Sequence, residues 1–337
     1  MTAVTRPRLE GSVAVRDGRR LGFAEYGVAR GPAVLWMHGT PGARRQVPLE
    51  ARAIAEAEGL RIIGIDRPGI GSSTAHLYRD VLDWTGDLEL LADTLGLDTF
   101  ATVGLSGGGP YALAAAAAFP DRVPAVGVLG GVAPTVGVDA AAGGPIQLAV
   151  TLEPVLRHGR LAMGAAISGV IRVVKPLANH AVDLYGHFQP PGDRTLLAVP
   201  EFKAMFVDDL LNGSRFQMSA PFADLVLFCR HWGFDLADVR APVHWWHGDD
   251  DHIVPLRHGE HAVARLPDAR LSVIAGQSHL GGLGIAREVL DGVLEGVLGG
   301  RGGPAGAAVG EAVTEVADAV AGRSDRRAGG SGRRVVG

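Results

Sequence analysis

Cysteine is nearly missing from this sequence. A single residue, Cys229, occurs in 337 positions, which excludes a disulfide framework and any zinc site built on thiolates. Long apolar runs are missing too. None reaches the roughly 18 residues that a membrane span needs, and the nearest approach, residues 161–174, is bracketed by Arg160 and Lys175 and interrupted by Arg172. The opening residues, MTAVTRPRLEGS, lack the apolar core of a secretory signal. A soluble cytoplasmic protein without stable membrane insertion is therefore expected. Positive charge is not in excess, because the net charge is -4; a protein that binds nucleic acid through bulk charge is excluded. Lysine is scarce, with Lys175 and Lys203 alone among 32 basic residues. GC-rich coding produces that bias without any function, so arginine clusters carry no binding role by number alone.

What is present is ample apolar material. Hydrophobic residues make up 47% and charged residues 20%, enough for a packed core and too little charge for general disorder. The length, roughly twice an average domain, fits one large domain with an insertion, or two domains. Nearly continuous apolar runs at 33–37, 61–65, 100–104 and 123–129 predict parallel strands covered on both faces. Helical spacing fills 46–58 and 80–95, with Leu82, Leu88, Leu91, Ala92 and Leu95 on one stripe. Segments 12–15 and 20–26 flank Asp17-Gly18, a hairpin signal, so the sheet is expected to open with antiparallel strands. Strand alternating with helix means a doubly wound, mostly parallel sheet.

From about residue 133 to 228 that rhythm breaks, and prolines divide the segment into short helices. It resumes with a strand at 243–247, a helix at 256–266, a strand at 271–274 and a helix at 285–298. The expected organisation is thus an α/β core of 11–132 and 229–298, a helical lid inserted at 133–228, and a Gly-, Ala- and Arg-rich tail, 299–337, expected to be disordered.

The sharpest chemical signal is Gly104-Leu105-Ser106-Gly107-Gly108, between a strand and an alanine-rich helix. A serine on such a tight turn presents its Oγ at the carboxyl edge of the sheet, and small residues two before and two after let strand and helix approach closely. Pro110 suits an early helix position. A nucleophilic serine needs a base, an acid that orients the base, and donors for the oxyanion. After Ser106 the chain supplies Gly248-Asp249-Asp250-Asp251-His252 past one strand end and Ala275-Gly276-Gln277-Ser278-His279 past another. Ligands bind at such ends in open α/β sheets.

Five motifs fall in order over residues 20–298: His38-Gly39-Thr40-Pro41-Gly42, Asp66-Arg67-Pro68-Gly69-Ile70-Gly71-Ser72-Ser73, the serine turn, Gly248-x-x-Asp251 and His279. With them the chain resembles an α/β-hydrolase-fold serine hydrolase with a helical lid. The resemblance implies Ser106 as nucleophile, His279 as general base and Asp251 as the acid, with Asp249 and Asp250 as competitors in the same loop. It also implies an oxyanion hole made by the backbone N–H groups of Gly107 and Thr40, with the Thr40 hydroxyl either a further donor or a turn cap. The implied activity is cofactor-free cleavage of a carboxylic ester with a small or medium apolar acyl group, and no metal. Epoxide hydrolases and haloalkane dehalogenases share the fold but place aspartate where Ser106 stands.

Within the lid, Phe202, Met205 and Phe206 are candidates for an acyl pocket, although a helical lid also needs apolar residues for its own core. Glu201, Asp208 and Asp209 matter for a second reading. His38-Gly39-Thr40-Pro41-Gly42 is one residue from the His-Gly-Gly-Pro-Gly of proline iminopeptidases, which hold a substrate ammonium with lid acids. A binding protein with an unused triad is the third. Other residues have plainer readings: His38 holds the oxyanion loop, His244 and His247 pack beside the site, and Ser72 and Ser73 finish a turn. His258-x-x-His261 lacks further metal ligands and reads as a solvated helix face. Cys229 reads as buried packing.

Overall fold

The computed structural model describes residues 4–299 except 142 and 145. The tail 300–337, expected to be disordered, lies outside the described residues. The strands are β1 (Leu9–Ala14), β2 (Arg20–Gly27), β3 (Ala33–Met37), β4 (Arg61–Ile65), β5 (Ala101–Leu105), β6 (Val126–Leu129), β7 (Val243–Gly248) and β8 (Ala269–Ile274). They form one sheet in the order β1-β2-β4-β3-β5-β6-β7-β8. β1 and β2 pair antiparallel, as does β2 with β4, and every other pairing is parallel. The β1–β2 hairpin turns at Asp17, whose φ of 58° is left-handed, the conformation that Asp adopts more readily than most residues.

Alternation of side chains across the pleat builds two apolar layers. Leu35, Met37, Ile63, Val128 and Trp245 face one side, under α2 (Thr85–Thr94), α3 (Gly109–Ala118) and α9 (Arg257–Val263). Val34, Trp36, Ile62, Val103 and Trp246 face the other, under α1 (Leu49–Ala57) and α10 (Ala286–Gly299). Burial on both faces explains why these strands read as unbroken apolar runs.

Element ends differ from the sequence reading where proline intervenes. β6 starts at Val126 rather than 123, because the N–H of Val123 still bonds to the Phe119 carbonyl and Pro124 has no N–H for a ladder. α1 starts at Leu49, after Pro48. Among the described residues, five α-helices lie between β6 and β7: α4 (Ile146–Val174), α5 (Ala178–His187), α6 (Pro191–Ala198), α7 (Pro200–Gly213) and α8 (Ala220–Phe228). Pro191, Pro200 and Pro221 begin helices, where their missing N–H costs nothing. The expectation of uniformly short helices fails at α4, which runs through Pro154 for 29 residues. That proline removes one backbone bond on an exposed turn, and neighbouring turns hold the helix. Cys229 is half-buried rather than fully buried; burial still pushes its thiol up to about 11.

The approach of β5 to α3 gives a direct test of this packing. A Cβ built on Gly104 would stand 2.4 Å from the Gly108 carbonyl oxygen, and backbone cannot yield as a side chain does. Gly104→Ala is expected to cost about 3 kcal/mol or more in urea unfolding. A cost below about 0.5 kcal/mol, the range of ordinary surface changes, would contradict the close approach.

Candidate active site

Ser106 follows β5 directly and has φ 52°. A left-handed non-glycine residue stores strain of order 1–3 kcal/mol, and here the turn leading into α3 enforces it. The hydroxyl lies at the carboxyl edge of the sheet. His279 Nε2 is 2.8 Å from Ser106 Oγ, and His279 Nδ1 is 2.8 Å from Asp251 Oδ2. The second carboxylate oxygen of Asp251 accepts the N–H groups of Ile253 at 2.9 Å and Val254 at 2.8 Å. His247 Nε2 is 3.4 Å from Asp251 Oδ2. Burial alone would raise the Asp251 carboxyl, but the hydrogen bonds from His247, His279 and Val254 outweigh it and hold the group well below the usual carboxylate range. Asp251 is therefore an anion placed against the imidazole.

The neighbouring aspartates go elsewhere. Asp250 meets the exposed His252 at 2.8 Å, and Asp249 accepts the Gly276 N–H at 2.7 Å. Only Asp251 of the three reaches His279.

Thr40 and Gly107 border the same space as Ser106, and a Cβ on Gly107 would collide with Thr40 Oγ1 at 2.3 Å. The Thr40 hydroxyl is not available to the site. It donates to Asp224 Oδ2 at 2.6 Å and accepts from Arg67 Nη2 at 2.9 Å. Asp224, on α8, also receives the Arg67 guanidinium and the Tyr111 hydroxyl, the latter at 2.8 Å. Arg67 further donates to the carbonyls of His38 and Gly39. His38 itself is buried; its Nδ1 bonds to the Gly39 carbonyl and its Nε2 accepts the Arg67 N–H at 3.2 Å. Burial, and then the Arg67 charge, push His38 well below its ordinary value, so it stays neutral and holds the loop. This Arg67–Asp224–Tyr111 cluster was not found by sequence reasoning. Arg67 stood inside a quoted motif, but nothing local marks its partner 157 residues away.

Two apolar cavities meet at Ser106. The larger, about 350 Å³, is lined by residues including Leu105, His279, Leu280, Tyr185 and Phe206. The smaller, about 260 Å³, is lined by residues including Gly107, Val132, Leu148, Leu152 and Phe228. Thr40, Ser106 and Ile253 border both. Of the three lid residues expected to bind substrate, Phe206 alone faces a cavity. Phe202 and Met205 line neither cavity; both are core positions, buried in the apolar layer that α1 and α10 cover.

Two of the three acids considered for a substrate ammonium are engaged elsewhere. Asp209 accepts the N–H groups of Ala43 and Arg45 at 2.9 and 3.0 Å, Asp208 pairs with Arg45 at 3.1 Å, and Glu201 is exposed. His258 is buried rather than solvated, accepting the Ala133 N–H at 3.2 Å, with its Nε2 3.0 Å from the Gly143 carbonyl. His261 meets the Asp139 carbonyl at 3.0 Å. Ser73 caps the Asp66 turn, and Ser72 N–H bonds to Asp66. His244 stacks on Trp246. No group of three or more metal-ligating side chains exists among the described residues.

One further residue lay outside any sequence signal. Asp193, on α6, is buried and accepts the Leu280 N–H at 2.8 Å, next to His279. Its other oxygen has no partner among the described residues, and burial raises its carboxyl.

Residues 32–149 match the family described as the α/β hydrolase fold. The chain has the α/β-hydrolase fold, by its sheet order, its helical insertion and its likeness to solved structures. It is 23% identical to an esterase from Rhodococcus at a TM-score of 0.61, covering 85% of this chain and 98% of that one. A proline iminopeptidase of Xanthomonas citri is 34% identical over 114 residues, 33% of this chain and 36% of that protein. A 2-hydroxy-6-oxononadienedioate/2-hydroxy-6-oxononatrienedioate hydrolase of Burkholderia vietnamiensis is 26% identical over 79% of this chain and 87% of that protein. The chain spans less than half the length of the first curated relatives it matches.

Two stability measurements follow. Asp224→Ala leaves the Arg67 guanidinium buried without its counter-charge and is expected to cost about 3–5 kcal/mol; Thr40→Ser, which keeps both hydroxyl bonds, should stay close to the parent. Equal costs would contradict the network. For Asp193 the folded-state carboxyl is raised, so its stabilisation is complete below the unfolded value near 3.9 and is lost as pH rises through the folded value. Asp193→Asn is expected to match the parent near pH 4 and to melt higher at pH 8. A lower melting temperature at pH 8 would contradict the sign.

Proposed function

We propose that the protein is a serine hydrolase that cleaves a carboxylic ester of a small or medium apolar acyl group through an acyl-enzyme. The observation that carries the reading is the aligned Asp251–His279–Ser106 set, with 2.8 Å at each step, opening on two apolar cavities. Ser106 Oγ attacks the ester carbonyl while His279 Nε2 takes its proton. Asp251 stabilises the imidazolium, and the N–H groups of Gly107 and Thr40 receive the oxyanion. His279 then protonates the departing alcohol. Water, deprotonated by His279, attacks the acyl-enzyme and releases the carboxylic acid with Ser106 restored.

The cavities support one arrangement of the two halves of the substrate. His279 borders the larger one and must reach the leaving oxygen, so the alcohol lies there. The acyl chain then runs into the smaller cavity, beside Gly107. Both linings lack Asp, Glu, Lys and Arg among the described residues. That favours an uncharged ester over the ammonium of an aminopeptidase substrate, whose relatives this chain partly matches, and over a dioate such as the one named for the Burkholderia hydrolase.

The test is a panel of p-nitrophenyl esters beside prolyl and other aminoacyl anilides. Burial contributes about 0.8 kcal/mol per methylene, so kcat/KM should rise roughly threefold to fourfold per added acyl methylene until the smaller cavity is full. Ala149→Phe, in that cavity, should lower the longest acyl chain accepted; Ala181→Phe, in the larger one, should act on the alcohol. Asp251→Asn should lose on the order of 10⁴ in kcat, and Asp250→Asn far less. Strong anilide hydrolysis without ester turnover would overturn the proposal, and a dead Asp250→Asn variant would overturn the choice of acid.

A further inference from the structure

The insertion leaves an apolar stripe uncovered on its outer side. Along α4, Leu148, Leu152, Val155, Val170 and Val173 recur at helical spacing, and all are exposed, the last three by 62%, 61% and 80%. Leu184 and Phe188 carry the stripe onto and just past α5. A helix of this length extends for roughly 43 Å, and an apolar face of that size is unusual on a monomer.

The charges beside it have one sign. Arg160 and Arg172 lie on either side of the stripe along α4, and Lys175 follows directly after its end. The acids of the two helices are already engaged, Glu153 by Arg230 at 2.8 Å and Asp183 by Lys203. A second copy seated on this face would meet the same cations, with no unpaired acid on either helix among the described residues to receive them. An anionic lipid surface supplies both an apolar layer and the opposite charge. By length and composition the segment 148–187 suffices to cross a bilayer, but the inner face of α4 is packed against α8 through Ala149, Leu156 and Val226. It is therefore held to lie on a surface rather than to span it. Leu148 and Leu152 belong at once to the stripe and to the lining of the smaller cavity, so apolar surface runs unbroken from the outside to Ser106.

We propose that this face docks reversibly on anionic lipid surfaces and that apolar esters enter the smaller cavity from the surface past Leu148 and Leu152. The second half rests on the serine hydrolase reading. The test is sedimentation of the full chain with vesicles of phosphatidylcholine alone, or of phosphatidylcholine and phosphatidylglycerol in equal parts. Binding to the mixed vesicles alone is expected. Val170→Asp with Val173→Asp, and separately Arg172→Gln with Lys175→Gln, should each weaken it by about tenfold or more, with an unchanged far-UV spectrum and unchanged turnover of a short soluble ester. Equal binding to both vesicles, or none, overturns the docking. So does self-association of the parent abolished by the valine changes, or binding that appears only after removal of residues 300–337. Vesicle binding does not depend on turnover. A chain that binds but cleaves no ester therefore overturns the hydrolase reading, and one that cleaves soluble esters but ignores vesicles overturns the docking.

Discussion

The left-handed backbone of Ser106 is the constraint on which the rest of the site depends. A serine with φ 52° is held there only because β5 and α3 are both fixed by burial and because Gly104 and Gly108 let them nearly touch. A Cβ on Gly108 would stand 2.2 Å from the Met37 carbonyl oxygen, so the neighbouring strand β3 enforces the same turn. The core supplies the energy that offsets the strain. From that point the geometry follows from the sheet: β7 and β8 are the next strands past β6, and the loops at their carboxyl ends carry Asp251 and His279.

The helical insertion does more than cover this edge. Three of its helices each send one buried aspartate to a loop of the core that borders the site. Asp224 of α8 holds Thr40 through its hydroxyl and receives Arg67. Asp209 of α7 accepts the N–H groups of Ala43 and Arg45. Asp193 of α6 accepts the N–H of Leu280 beside His279. Asp209 and Asp193, by accepting backbone N–H bonds, fix their loops without occupying the loops' side chains. The loop of Thr40 and the loop of His279 are thus both anchored to the insertion, and Asp209, one of the acids considered for a substrate ammonium, serves this anchoring.

Much of this was legible in the sequence because it is local. Strands buried on both faces must be apolar throughout, and the serine turn needs small residues at fixed offsets. The loops bearing Asp251 and His279 could be placed by their position after strands. What escaped was long-range. Phe202, Met205 and Phe206 lie within one helix and look alike in sequence, yet of the three only Phe206 borders a cavity at Ser106, because burial against residues far along the chain takes up the other two. Asp193 and Asp224 carry no local signal, and Asp209 reads only as an acid of the insertion, since their partners are far along the chain. The outer stripe of α4 was broken in sequence by arginines; only the helix shows that its apolar residues share a face.

The central claim is that Ser106 is the activated nucleophile. Its most direct test is peptide mapping by mass spectrometry after treatment with a fluorophosphonate. The account predicts a single phosphonylated peptide carrying the adduct on Ser106 and no adduct in Ser106→Ala, with the variant's fold intact. An adduct on any other residue, or equal labelling of the Ser106→Ala variant, would contradict it.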